Sequence, residues 1–271
     1  LPVDALGILR TDHPHYYRGK LEGETEIQFV DRIVGNLENL IIAEDPSTIA
    51  AFIAEPITGA SGVIVPPDGY YEGIQNVLDK YGIMFWADEV ITGFGRTGND
   101  FGCTTMEIKS PDMMTFAKQL SSAYMPISAS AIRRDVYEAM IDQSASAGAF
   151  GHGYTYSGHP VACAVALRVL EIYDRDEIFD RASTTGKYLQ EQLSQFSSHP
   201  LVGEVRGSGL LAALELVPNK ELNHQFKDGK VGGVAQKMAQ DNGLLIRTVA
   251  GSSIGICPPL IITNNQIERY S

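Results

Sequence analysis

The order of apolar runs and helical stripes predicts an α/β chain: a mostly parallel sheet with helical crossovers, then a smaller α+β part. Three observations carry this. Short apolar, β-like runs recur at 49–54, 83–87, 113–117 and 127–132. A helical pattern fills the gap between the first two, as a parallel crossover requires. Beyond residue 177, helices mix with short strands and no long parallel repeat continues.

Residues 1–24 read as polar and aromatic loop, including His13, Pro14, His15, Tyr16 and Tyr17. From Thr25 the apolar residues Phe29, Val30, Ile33, Val34, Leu37, Leu40 and Ile41 stand three and four apart, which marks one face of a helix ending before Pro46. The run 49–54 closes on Glu55-Pro56, and Gly59, Gly62, Pro66, Pro67 and Gly69 mark a long turn. A helix is expected over 70–81, with Gly82 as its stop. A helix over 160–173, apolar around most of its surface, is expected to be substantially buried. Further on, the pattern predicts a helix near 177–197, strands near 208–217 and 244–248, and a helix near 232–241. The expected units are therefore 1–176, part of a large domain, and 177–271, a smaller domain.

Composition narrows the function. The chain has 271 residues, 44% of them hydrophobic, enough for a sizeable core. Its formal charge of -12 argues against a nucleic acid or an anionic membrane surface as the main partner, because both recruit clustered cations. The three cysteines, Cys103, Cys163 and Cys257, are too dispersed for a disulfide framework or a cysteine zinc site, and no metal site is expected. No apolar run reaches the roughly 18 residues of a membrane span, and no leader pattern opens the chain, so the cytoplasm is the expected compartment. The chain starts at Leu1-Pro2 without Met, and 264–271 reads as a helix cut near its start. A piece of a longer protein is expected.

Gly93 to Gly98 match G-x-G-x-x-G, but Asp88 to Thr92 separate the glycines from the preceding strand and 99–105 does not read as a helix, so a structural turn is the better reading. His152 and His159 lack metal-ligating company and read as structural. Asp88-Glu89 ends one apolar strand, and Lys118 follows the next. Each alone is ordinary. Together they place an acid and a lysine on the ligand-binding edge of a parallel sheet, the pair that pyridoxal phosphate chemistry requires.

The segments A-D-E-V-I-T-G-F-G-R-T-G at 87–98, P-D-x-x-T-x-A-K-Q-L-S-S-A-Y-x-P at 111–126, H-G-Y-T-Y-S-G-H-P at 152–160 and E-P-I-T-G-A-S-G-V-I-V-P-P at 55–67 resemble the class III, pyridoxal-phosphate-dependent aminotransferases. Pro14-His15-Tyr16-Tyr17 and the late Arg247-Thr248 with Pro258-Pro259-Leu260 are most similar to the ω-amino acid or amine:pyruvate branch. The resemblance implies a pyridoxal-phosphate transferase of fold type I, present as a partial large domain and a small one. It implies transamination from an amine or ω-amino acid donor to an α-keto acid such as pyruvate, through a Schiff base on Lys118. Asp88 matches the acid under the pyridine nitrogen, Val90 the apolar residue on the ring face, and Glu55 an acid near the cofactor. Thr155 matches the threonine that reaches the phosphate in a neighbouring subunit, which implies a homodimer. Arg247 matches the arginine that holds a substrate carboxylate.

Two departures stand out. Glutamate-using branches tend to carry an acid where this chain has the small, neutral Ala60, so pyruvate is the expected acceptor. The family's phosphate-binding Gly-Ser/Thr turn and ring-covering Tyr-His-Gly segment do not occur in the sequence. A decarboxylase or racemase on the same scaffold, or an inactive fragment without the phosphate cup, are the alternatives.

Overall fold

The computed structural model describes residues 7–220, 226 and 230–270. Leu1, Pro2 and Ser271, which bear on the expected chain ends, lie outside them. The first sheet has the order β1 (Ala51–Ala54), β2 (Met84–Asp88), β3 (Met113–Phe116), β4 (Ala129–Ile132). β1 pairs with β2 and β2 with β3 in parallel, while β4 runs antiparallel to β3. The 1–24 segment, expected as loop, contains one helical turn, α1 (Tyr16–Gly19), held where Tyr16 packs its ring edge on Phe29 at 5.5 Å.

α2 (Glu26–Ala43) starts at a reciprocal cap, in which Gln28 N donates to Thr25 Oγ1 at 3.3 Å and Thr25 N donates to Gln28 Oε1 at 3.0 Å. Its buried stripe, Phe29, Val30, Ile33, Leu37 and Ile41, meets α3 (Tyr70–Tyr81) and, below both, Phe85 and Ala87 of β2. α3 ends at Gly82, whose φ of 66° is the left-handed stop expected there. Asp112, just before β3, accepts from Phe85 N at 2.7 Å and is paired with Arg133 after β4, which ties three strands at their lower end.

Between the sheets the helices depart from expectation in two places. α5 (Arg134–Ala147), not expected, has no fully buried residue; its half-buried stripe is only Val136, Met140 and Ser144, too thin to register as a pattern. α6 (Pro160–Arg175) buries Ala162, Ala166, Val169 and Tyr173 alone, and leaves Val161 and Leu167 54% and 63% exposed, so it is not the enclosed helix its composition predicts.

α7 (Ile178–Ser194) covers a second, fully antiparallel sheet in the order β5 (Val202–Ser208), β6 (Leu211–Leu216), β8 (Ser253–Ile256), β7 (Arg247–Val249). The single strand expected near 208–217 is thus the second arm of a hairpin. β5 escapes the pattern because Gly203 and Gly207 interrupt its alternation. β8 was not expected, and the strand expected near 244–248 begins only at Arg247. α8 (Val231–Asp241) lies against β7 and β8, and α9 (Asn264–Ile267) follows a second Thr-Gln cap at Thr263 and Gln266.

One apolar core joins Val169 and Tyr173 of α6, Leu189 and Leu193 of α7, Leu210, Ala212, Ile254 and Ile256 to Phe94 of the glycine-rich loop. α7 approaches the hairpin closely because Gly186 faces Gly209; a Cβ on Gly186 would stand 2.6 Å from Gly209 Cα.

A buried ion cluster completes the contact between the parts. Arg206 meets Glu204 at 2.7 Å and Glu215 at 2.8 Å, His15 meets Glu204 at 2.9 Å, and Arg18 meets Glu215 at 2.8 Å. Burial pushes both carboxyls up, but His15 and Arg206 at Glu204, and Arg206, Ser253 and Arg18 at Glu215, outweigh it and hold both below the usual glutamate range. Among the described residues no helix is long and apolar enough to cross a membrane, and no group of side chains has metal-binding composition.

Two consequences are measurable. Gly186→Ala lowers stability by about 1–3 kcal/mol in urea unfolding, because the clash with backbone outweighs the gain in helix propensity. A carboxyl held low in the folded state contributes stability above its unfolded pKa and loses it as pH falls through the folded one. The unfolding free energy therefore declines as pH drops below about 4, and Glu215→Gln flattens that decline in a pH series of melts.

Candidate active site

Parallel pairing brings three chain exits to one edge. Ala54 lies beside Ala87 and Asp88 beside Thr115, so Glu55, Asp88 and the residues after Phe116 leave the sheet together. Open α/β sheets bind ligands at this carboxyl edge. A cavity of about 940 Å³ lies at the opposite end, lined by Ile83, Phe85, Asp112 and Arg133, away from the exits of the three parallel strands.

Asp88 is half-buried, and its Oδ1 accepts from Val90 N at 3.0 Å, which fixes its rotamer and leaves Oδ2 for a partner. Glu89, the next residue, points the other way, as strand alternation demands. It is fully buried, accepts from Thr92 Oγ1 at 2.5 Å and Gly102 N at 2.9 Å on Oε2, and from Cys103 N at 2.7 Å on Oε1. The Asp-Glu pair therefore divides its labour between the open edge and an internal anchor. The anchor sits at α4 (Gly102–Thr105), a single helical turn within the stretch expected to be non-helical. Near Glu89, burial first and then the neighbouring charge push the Cys103 thiol up, which keeps it neutral.

The glycine-rich loop is structural, as its spacing predicts. Arg96 donates from Nη1 to Leu210 O at 3.0 Å and Pro258 O at 2.6 Å, while Leu210 N donates back to Arg96 O at 3.0 Å. It staples the loop after β2 to the second sheet.

Lys118 opens a tight turn after β3 and is exposed. Its φ of 42° lies in the left-handed region, as do those of Ser122 and Ala123, a conformation that non-glycine residues keep only when the surroundings over-determine it. The determinants are on hand. Ala123 N donates to Lys118 O at 3.2 Å, Ser121 Oγ to Met125 O at 2.7 Å, and Tyr173 Oη of α6 to Gln119 O at 2.9 Å.

Glu55 is half-buried between these elements. Its Oε2 accepts from Gly59 N at 2.9 Å, and its carbonyl accepts from Tyr71 Oη at 2.7 Å. Burial raises its pKa, the Gly59 N–H opposes, the charge of Asp88 raises it further and Lys118 lowers it; the net direction is up. The Glu55 carboxyl thus senses both Asp88 and Lys118. Val90 is half-buried beside Asp88, and Ala60 is exposed on the turn that follows Glu55. Thr155, on the exposed 150–159 stretch, and Arg247, exposed on the edge strand β7, stand outside this cluster. Tyr71, Tyr173 and Ile91 were not anticipated. Ile91 packs so tightly that a Cβ on Gly59 would stand 2.4 Å from its Cδ1.

A sheet edge that presents an acid and a lysine after neighbouring parallel strands offers the two groups that pyridoxal phosphate chemistry uses. The family described as "Aminotransferase class-III" matches residues 8–271. The chain belongs to the class-III aminotransferases. It is 49% identical over 263 residues to a probable gamma-aminobutyrate transaminase 3, mitochondrial, of Oryza sativa subsp. indica, covering 97% of this chain and 51% of the relative. It is 48% identical over 97% of its length to the mitochondrial gamma aminobutyrate transaminase 1 of Solanum lycopersicum, again covering 51% of the relative. The chain spans about half the length of these relatives. Among solved structures, the omega transaminase of Pseudomonas jessenii in complex with PMP superposes with a TM-score of 0.95 at 47% identity, over 100% of this chain and 58% of that one.

Replacing Glu89 by Gln puts an amide among donors that all need an acceptor. Stability falls by about 3 kcal/mol in denaturant titration, with α4 losing amide protection first.

Proposed function

We propose that this chain carries the Lys118 half of the active site of a pyridoxal 5'-phosphate-dependent aminotransferase, acting on an amine or ω-amino acid donor and an α-keto acid acceptor. The observation that carries this reading is the convergence of Glu55, Asp88 and Lys118 at three adjacent strand exits. The donor set suits the cofactor: a primary amine for its aldehyde, a carboxylate with a spare oxygen for its ring N–H, and Val90 as an apolar neighbour. Bound there, the cofactor would take the substrate's amino group at its aldehyde carbon and spread the electrons of the broken C–H bond into its ring.

The chain's own residues account for the rest. Asp88 Oδ2 would hold the ring-nitrogen proton, since Val90 N fixes Oδ1. Lys118 Nζ would take the proton from the substrate carbon and return it to the carbon on the far side of the amino nitrogen, working from the exposed turn that follows β3. Arg247 binds the keto acid carboxylate with its fork of donors. Thr155 would reach the cofactor phosphate of a second copy, and its exposure beside the exposed aromatics Tyr154 and Tyr156, both 79%, supports a homodimer. Ala60 leaves the turn after Glu55 uncharged, which supports pyruvate as acceptor. The names of the relatives, gamma-aminobutyrate transaminases, support an ω-amino donor. The cytoplasm proposed from the sequence stands beside relatives named as mitochondrial, and fractionation of the native protein decides between them.

Incubation with pyridoxal 5'-phosphate, borohydride reduction and peptide mapping yields a single adduct at Lys118, absent in Lys118→Arg. Scattered labelling overturns the site. In the accompanying acceptor screen pyruvate outperforms 2-oxoglutarate, and the reverse order overturns the acceptor.

A further inference from the structure

The segment Pro14-His15-Tyr16-Tyr17 takes no part in the chemistry above, and neither does the buried Arg206 on β5. The structure joins them to the turn that carries Ala60. Arg206 is 8% exposed and donates to two backbone carbonyls of that turn: Nη2 to Gly62 O at 2.7 Å, Nε to Gly62 O at 3.0 Å and to Val63 O at 3.1 Å. The approach is close enough that a Cβ on Gly62 would stand 3.0 Å from Nη2.

The turn needs such a hold. Gly62 and Val63 both have positive φ, 120° and 57°, and for a β-branched valine that conformation is unfavourable. Gly62 N and Val63 N both donate to Gly59 O, and Gly59 N donates to Glu55 Oε2. The turn is therefore fixed at its entry by the active-site Glu55 and at its exit by Arg206, with Ala60 exposed between. Underneath, Ile57 and Val63 pack on Leu211 and Ala213 of β6 and on Ile91, the residue after Val90.

Arg206 is itself held. Its remaining donors meet Glu204 Oε2 at 2.7 Å, Glu215 Oε2 at 2.8 Å and Ser253 Oγ at 3.2 Å. The early segment backs both acids: His15 Nε2 lies 2.9 Å from Glu204 Oε2, and Arg18 donates to Glu215 Oε1 from Nη2 at 2.8 Å and Nε at 3.1 Å. Tyr17 fills the space beside Gly203, where a Cβ would stand 2.1 Å from its Oη. A planar fork reaching two carbonyls and two carboxylates at once is a task lysine cannot perform.

We propose that Arg206 is a specificity-determining positioning residue, which holds the Gly59–Val63 turn and with it Ala60 at the acceptor site, and that His15 and Arg18 hold Arg206 through Glu204 and Glu215. The specificity role rests on the transamination proposed above; the hold on the turn does not.

Hydrogen exchange and kinetics separate the two. In Arg206→Lys, which keeps the charge opposite both glutamates, exchange in the 57–65 peptide becomes about tenfold faster while the helices of the first sheet keep their protection. In the same variant KM for pyruvate rises more than kcat falls, and the ratio of kcat/KM for pyruvate to that for 2-oxoglutarate changes. Arg18→Met gives a smaller change in the same direction, and decides the matter if Arg206→Lys does not fold. Unchanged exchange at 57–65, or acceleration spread evenly over the chain, overturns the hold. A loosened turn with an unchanged acceptor ratio overturns the specificity role. A wild-type protein inert toward every keto acid overturns transamination, while the exchange data still decide whether Arg206 holds the turn.

Discussion

Parallel pairing of three short strands is the constraint on which the site depends. Because β1, β2 and β3 run the same way with Ala54 beside Ala87 and Asp88 beside Thr115, their exits share one edge. A parallel ladder requires a crossover between successive strands, and the α2–α3 layer covers it with an apolar face. A one-residue slip of β2 would exchange Asp88 with Glu89, placing the anchoring acid at the edge and the edge acid in the interior. The three donors that hold Glu89 therefore also fix which carboxylate the edge presents.

Around that edge, the loops are held by polar contacts made at a distance. Arg96 binds the carbonyls of Leu210 and Pro258, so the glycine-rich loop after Asp88 is anchored on the second sheet. Arg206 does the same for the turn after Glu55. Tyr173 does it for the turn of Lys118 from α6. Each of the three chain exits is thus restrained by hydrogen bonds to a distant element. Buried carbonyls need such partners, and the donors answer that need while shaping the site.

The residue types at the edge were legible because their chemistry is local. An acid ending one apolar run and a lysine following the next can be read from the chain, as can the misfit of Gly93 to Gly98 with a phosphate loop. The helix start near Thr25 and the stop at Gly82 were also readable. β5 was not, because two glycines break its alternation, and α5 was not, because only one narrow stripe of it touches the protein. The burial of α6 was overestimated for a related reason: composition reports how apolar a helix is, but not how much of the chain lies beside it.

Sequence by itself determined the strand-helix alternation, the start of the first long helix and the stop at Gly82, and the presence of Asp88 and Lys118 at strand ends, since all of these follow from backbone propensity and spacing within a few residues. Only the tertiary structure decided that Glu89 turns inward and that Glu55 senses both Asp88 and Lys118. It alone brought Arg18 and Arg206 to opposite oxygens of Glu215. Those contacts join residues far apart along the chain, and no local pattern encodes which distant carboxylate a guanidinium will meet once the sheets have packed.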